Sequence, residues 1–239
     1  MNKMNYYLSY GGGVNSTALM LLLIDQGIEF ESVFIDHETD YPETYEYVAY
    51  LKEKGYKITE LKPSVSWKGH WSSVYDYFFH HKSIPLIVYR ICTDKFKVQT
   101  FNKHIEKPCI VYIGYDYDEV KRANKQKGHA RKGIEYQYPL IEKLVTRKGC
   151  EQIILDHGLK VPPKSGCYIC PFQKKSEWRR LEVEHPELFQ KALELETNCG
   201  KKGLYAGSKT LSSLHQDNKL DEWIGFDGDL SCTEWKCRE

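Results

Sequence analysis

Tyr6-Tyr7-Leu8-Ser9-Tyr10-Gly11-Gly12-Gly13-Val14-Asn15-Ser16-Thr17 is the stretch that decides the fold. Tyr6 to Ser9 reads as a short strand, and three consecutive glycines break it at once. Residues 18–26 are predicted to form an apolar helix that stops at Gly27. Consecutive glycines permit positive φ and close backbone approach. The amides of such a turn and of the helix start behind it face one point, which suits a phosphate. A tight turn without a ligand is the plainer reading. The spacing lacks the Gly-Lys-Ser/Thr ending of a Walker loop and is not Gly-x-Gly-x-x-Gly.

Outward from that turn, residues 31–36 (ESVFID) read as a second strand. Residues 42–55 read as a helix with Pro near its start and Gly at its end, and residues 57–61 as a third strand. This β-α-β-α-β alternation predicts a parallel sheet with right-handed crossovers. Residues 109–114 (CIVYIG) supply a fourth parallel strand. The expected fold class is α/β, a five-stranded parallel sheet with helices on both faces, followed by a helical, cysteine-rich C-terminal region. The expected division is 1–145 for the nucleotide-binding α/β domain and 146–239 for the helical region and tail, packed on the same domain. Residues 63–90 are irregular and aromatic, read either as a helical excursion covering the sheet or as a wall for a flat substrate. Helices are also predicted over 93–105, 148–157 and 174–196, the last kinked near Pro186, while 116–135 reads as a polar loop or short helix.

The chain has 239 residues, 34 Lys and Arg, 33 Asp and Glu, and a net charge of +1, so any basic patch is local. No apolar run approaches the ~20 residues that span a bilayer. The expectation is a cytoplasmic protein with no membrane partner. In a reducing compartment its eight cysteines read as metal ligands, redox groups or packed thiols. The histidines show no metal spacing.

Three further segments carry the chemistry. Arg90-Ile91-Cys92-Thr93-Asp94-Lys95-Phe96-Lys97 precedes one helix, and Thr146-Arg147-Lys148-Gly149-Cys150 begins another. Pro162-Pro163-Lys164-Ser165-Gly166-Cys167-Tyr168-Ile169-Cys170-Pro171-Phe172 contains a Cys-x-x-Cys. A Cys-x-x-Cys turn aims two thiolates at one centre, and two more from helix starts complete a tetrahedral set for zinc or an iron–sulfur cluster. Buried free thiols are the alternative. Cys109 opens a strand and Cys199 follows a helix, so both read as packing. Cys232 and Cys237 form a tail pair, either redox-active or idle.

Gly11-Gly12-Gly13-Val14-Asn15-Ser16 resembles the Ser-Gly-Gly-x-Asp-Ser pyrophosphate loop of the PP-loop ATP pyrophosphatase superfamily, with Gly11 for the first Ser and Asn15 for the Asp. Asn15 keeps the hydrogen-bonding shape of an Asp and drops its charge; Ser9 is a candidate for the displaced hydroxyl. Phe34-Ile35-Asp36, Gly114…Asp118-Glu119-Val120-Lys121-Arg122 and the three cysteine segments are similar, in order, to the phosphoadenosine phosphosulfate (PAPS) reductase-like branch. The similarity runs over roughly residues 6–197, a loose boundary of the usual kind.

The resemblance implies a Rossmann-like, HUP-type fold and an adenine nucleotide, ATP or PAPS-like, held by Ser9, Gly11, Gly12, Gly13, Asn15, Ser16, Thr17, Asp36, Gly114, Glu119 and Arg122. Asn15, Ser16 and Arg122 are the residues expected to carry catalysis. Gly12 is expected to admit the nucleotide to the backbone. Mg²⁺ would accompany the phosphates, and Cys92, Cys150, Cys167 and Cys170 would hold a 4Fe-4S cluster or zinc. The implied activity is sulfur chemistry as a transferase or oxidoreductase, by ATP α-phosphate cleavage or by sulfonucleotide reduction. Assimilatory reduction proper is the first alternative, although the reductases' Glu-Cys-Gly-Ile/Leu-His tail is absent. A non-catalytic nucleotide- or nucleic-acid-binding module with structural zinc is the second. The partners implied are a DNA or tRNA acceptor, a sulfur-donor protein and a second copy of the chain in a homodimer.

Overall fold

The computed structural model describes residues 4–127, 131–200, 203–205 and 210–212. The tail pair Cys232 and Cys237 lies outside them. The strands β1 (Asn5–Tyr10), β2 (Glu31–Ile35), β3 (Ile58–Leu61), β6 (Cys109–Ile113) and β7 (Ile134–Gln137) form a five-stranded sheet in the order β3-β2-β1-β6-β7. All four pairings are parallel. The expected α/β architecture is therefore present, and its fifth strand is β7, in and beyond the stretch read as a polar loop. Only Ile134 of β7 is buried, so this edge strand carries little of the apolar pattern by which a strand is recognised.

Side chains alternate across the sheet. Leu8 and Tyr10 join α1 (Val14–Asp25), α2 (Pro42–Glu53) and α7 (Arg147–Asp156) in one core. Tyr7, Val33, Ile35 and Val111 face the other way, onto Phe101 of α4 (Gln99–His104) and Ile105. The helix α1 is apolar almost all round because it lies between the sheet and α7.

The aromatic excursion departs from its expected place over the sheet. It folds as a short antiparallel hairpin, β4 (Val65–Ser66) with β5 (His70–Trp71), and a helix, α3 (Val74–His80). These pack with α8 (Lys175–Glu184) and α9 (Pro186–Cys199) into a separate core around Phe96 and Trp178. The expected kink near Pro186 is a full break, with His185 off helical geometry between α8 and α9. The remaining elements are α5 (Val120–Lys127), preceded by a 3-10 turn at Tyr117–Glu119, and α6 (Pro139–Glu142). The predicted 93–105 helix begins as a π-helix over Cys92–Val98 before it becomes α4.

Glu196 of α9 ties down the chain that follows the helix. It is only 4 % exposed. One carboxylate oxygen accepts the amides of Leu204 at 2.8 Å and Leu211 at 3.0 Å, and the other accepts the amide of Ser212 at 3.3 Å. Leaving a buried amide unpaired costs roughly 1–3 kcal/mol. Glu196→Ala is therefore expected to lose about 3 kcal/mol of stability in urea unfolding, and Glu196→Gln, which keeps a carbonyl acceptor, to lose less.

Candidate functional site

The glycine turn lies at the carboxyl end of β1, where ligands of open parallel sheets bind. Its shape is fixed from within. Ser16 Oγ donates to the Gly13 carbonyl at 3.0 Å and accepts the Gly11 amide at 3.3 Å. Thr17 is fully buried, donating to the Gly13 carbonyl at 2.9 Å and lying 3.0 Å from the Tyr10 hydroxyl. Its hydroxyl therefore braces the turn from inside. Gly13, at the N-cap of α1, has no side chain with which to cap the helix.

The glycines have different tasks. A Cβ on Gly12, whose φ is +70°, would come within 2.6 Å of Thr44 Cγ2 in the interior. One on Gly13 would meet Ser165 Oγ at 2.5 Å, and one on Gly114 would meet the backbone of Ser16 at 2.9 Å. A Cβ on Gly11 meets nothing within 4 Å. The open face of the turn is thus at Gly11. Gly12, expected to admit the nucleotide, looks inward and keeps the turn folded.

Beside the turn, three segments meet at Asn15. Its amide nitrogen donates to Asp116 Oδ2 at 2.8 Å and to Glu119 Oε2 at 3.2 Å, and its Oδ1 accepts from Arg147 Nη1 at 3.2 Å. Glu119 also pairs with Arg122, whose guanidinium lies 4.6 Å from the centre of the Tyr115 ring. Ser9 is on β1 in register with Val33 and Ile113, on the sheet face opposite α1. Asp36 follows β2, accepts the Glu38 amide and lies 3.9 Å from Lys62 Nζ.

The thiols separate into two places. Cys167 and Cys170 lie in a tight turn, with the Cys170 amide donating to the Cys167 carbonyl at 3.0 Å. The segment before them pairs with residues 39–41: Tyr41 N to Gly166 O at 2.9 Å, Tyr168 N to Thr39 O at 3.0 Å, and Cys167 Sγ to Thr39 Oγ1 at 3.2 Å. Cys92 opens the π-helix, and its i→i+5 pattern turns Lys97 onto the same face as Cys92. Lys97 is within electrostatic reach of Asp40, Cys167, Cys92 and Cys170. Burial works against its charge, yet these neighbours together raise its pKa. The Lys97 side chain still reaches solvent and the three thiols are part-exposed. Deep groups that solvent can touch define a recess. Burial pushes the Cys170 thiol up to about 11 and holds the neighbouring His37 ring well below its usual pKa.

Cys150 is elsewhere. It is fully buried in the sheet core, and burial, then Asp116, push its thiol up to about 12. The structure therefore brings Cys92, Cys167 and Cys170 to one recess and sets Cys150 beneath the Asn15 cluster. Cys109 is buried at the head of β6, and Cys199 packs against the second core. The two centres are linked by chain: Ser165 touches the glycine turn, and Cys167 follows two residues later.

Four residues of these centres, Arg147, Asp116, Lys97 and Asp40, were not singled out from the sequence as site residues. Arg147 and Lys97 stand inside the quoted cysteine segments, which was their available signal. Asp40 is buried and its carboxyl is raised to about 6, chiefly by burial and against the pull of Lys97. Another convergent group, Glu43, Glu184 and His185, is crossed by Arg180, which binds both carboxylates. An open groove of about 550 Å³ lies at the amino ends of β1 and β2, the far edge from the turn.

A model described as the phosphoadenosine phosphosulfate reductase domain matches residues 5–163. Two proteins of Methanocaldococcus jannaschii, the uncharacterized proteins MJ0066 and MJ0973, are 24% identical over 202 residues and 23% identical over 198 residues. Each match covers 77% of this chain, and the chain spans 40% and 45% of the length of these relatives. A solved structure described as the predicted subunit of a tRNA methyltransferase from the same organism aligns with a TM-score of 0.33 at 14% identity, over 66% of this chain and 91% of that one.

The inward view of Gly12 gives a test. Gly12→Ala is expected to destabilise the fold by about 2 kcal/mol or more, from positive φ and overpacking. Gly11→Ala is expected to keep the wild-type melting temperature while weakening adenine-nucleotide binding. Thermal melts and equilibrium dialysis on the two variants check both halves.

Proposed function

The chain belongs to the phosphoadenosine phosphosulfate reductase domain family of the PP-loop superfamily, matched over residues 5–163, and on that footing we propose that it binds ATP at the glycine turn and cleaves it at the α-phosphate to activate an acceptor for sulfur transfer. The observation that carries this reading is the meeting of Asp116, Glu119 and Arg147 on Asn15 beside the turn. Two carboxylates flank the neutral side chain at position 15.

Asp116 and Glu119 fit the Mg²⁺ that accompanies a triphosphate, since that ion takes one or two carboxylates together with phosphate oxygens. Bound there, it would neutralise charge on the departing pyrophosphate. Gly11, Asn15 and Ser16 would frame the phosphates, with Arg147 and Arg122 supplying planar donor forks. In the proposed step an acceptor oxygen forms a bond to the α-phosphorus. The α–β bridging bond breaks, and pyrophosphate leaves with the electron pair.

Cys92, Cys167 and Cys170 are the residues that would hold a metal centre, and its chemistry there would be to carry or deliver sulfur. Lys97 would offset part of the negative charge of the bound thiolates. Cysteine thiolates suit zinc or an iron–sulfur cluster, and the resemblance to reductases and sulfur-modification enzymes that carry a 4Fe-4S cluster favours the cluster here. The placement of Cys150 argues against its serving as the fourth ligand.

Two expectations follow. ATP with Mg²⁺ should bind and release pyrophosphate, and Arg147→Ala should weaken ATP binding about tenfold by removing charge-assisted hydrogen bonds. Sulfite release from PAPS with thioredoxin, and no pyrophosphate from ATP, would reject the reading. Anaerobic purification should give iron and labile sulfide. Cys92→Ser, Cys167→Ser and Cys170→Ser should each deplete both, whereas Cys150→Ser should retain them; stoichiometric zinc without iron would overturn the cluster assignment.

A further inference from the structure

The excursion between β3 and the π-helix presents a surface that the nucleotide site does not use. Trp67, Val88 and Tyr89 are 52%, 86% and 68% exposed. Residues 64–97 carry five Lys and Arg against two acidic residues, in a chain whose net charge is only +1. Some cations elsewhere are matched, as in Lys52 with Glu60, Lys164 with Glu177, and Arg180 with Glu43 and Glu184. Among the described residues, no carboxylate pairs with Lys68, Lys82, Arg90 or Lys95. Two of these cations sit on rings instead: Lys95 Nζ lies 4.9 Å from the Trp67 ring, and Arg90 lies 5.2 Å from that of Phe172.

The backbone adds an independent sign. Lys68, Lys82 and Arg90 have φ of 44°, 46° and 45°, and they are three of the five non-glycine residues with positive φ among those described. Each such conformation costs about 1–2 kcal/mol, and such costs concentrate where a ligand is clamped. Three strained positions in one short excursion are all cationic. The chain ties this excursion to the thiols: Arg90 is two residues from Cys92 and lies against Phe172, which is two from Cys170.

We propose that this face docks a single-stranded nucleic acid, with phosphates on Lys68, Lys82 and Arg90 and bases stacked on Trp67 and Tyr89. This rests on the reading of the chain as an enzyme that activates an acceptor, and it names the acceptor's class and its path to the recess. Exposed rings interleaved with unpaired cations suit unstacked bases on a charged backbone. A duplex keeps its bases stacked and offers nothing to the rings.

The test is fluorescence anisotropy with labelled single-stranded RNA and DNA 15-mers over a salt series, with a matching duplex and poly-glutamate as competitors. ATP binding is measured on the same proteins. The single strands should bind in preference to the duplex. Trp67→Ala should weaken them about tenfold. Joint reversal at Lys68, Lys82 and Arg90 to Glu should flatten the salt slope by about 2, the share of three phosphate contacts on a single strand. Both variants should keep wild-type ATP affinity and melting temperature. Wild-type oligonucleotide affinity and slope in the triple variant, or poly-glutamate competing as well as the oligonucleotides, would overturn the surface. ATP binding separates the two readings, since its absence in every protein would strike the nucleotide proposal alone.

Discussion

The first turn of α1 sits so close to the end of β6 that a single methyl group at Gly114 would come within 2.9 Å of the Ser16 backbone. Everything around the site depends on that approach. It fixes the start of α1 at the carboxyl ends of the central strands. It also brings the segment after β6, with Asp116 and Glu119, to the flank of Asn15. On the other side Gly13 has no room for a side chain because Ser165 already fills the space. The turn is thus held between two distant pieces of chain, and each piece delivers functional groups as a consequence of touching it.

A second core makes the thiol recess possible. The pairing of residues 39–41 with 166–168 stitches the end of the sheet to the Cys-x-x-Cys turn. The aromatic excursion and the C-terminal helices then close around Phe96 and Trp178. Without that core the Cys167 turn would have no wall, and Lys97 would have no reason to lie among three thiols. The π-helix matters in the same way. An α-helical turn would direct residues 92 and 97 to different faces, whereas the wider turn directs them to one.

The sheet and its order of elements were readable because buried parallel strands and an apolar helix leave strong local patterns, as in residues 31–35 and 18–24. The edge strand β7 was not, since only Ile134 is buried there and the solvent side imposes no pattern. The glycines were recognised as a group, but their separate tasks depend on Thr44, Ser165 and Ser16, contacts made by folding. The cysteines were grouped by spacing and resemblance, which say nothing about which core a helix start will join. Cys150 went with α7 into the sheet core because α7 packs on α1.

The exchange of Asp for Asn in the turn then has a physical reason. An aspartate at position 15 would place a third carboxylate against Asp116 and Glu119, and like charges at such distances repel strongly in a partly buried site. The amide of Asn15 instead offers one N–H to each carboxylate while its oxygen takes the Arg147 guanidinium. The side chain thus holds two anions and one cation in register before any ligand arrives. Charge near the turn is carried by the chain after β6, and Asn15 is the neutral piece that sits between its two carboxylates and Arg147.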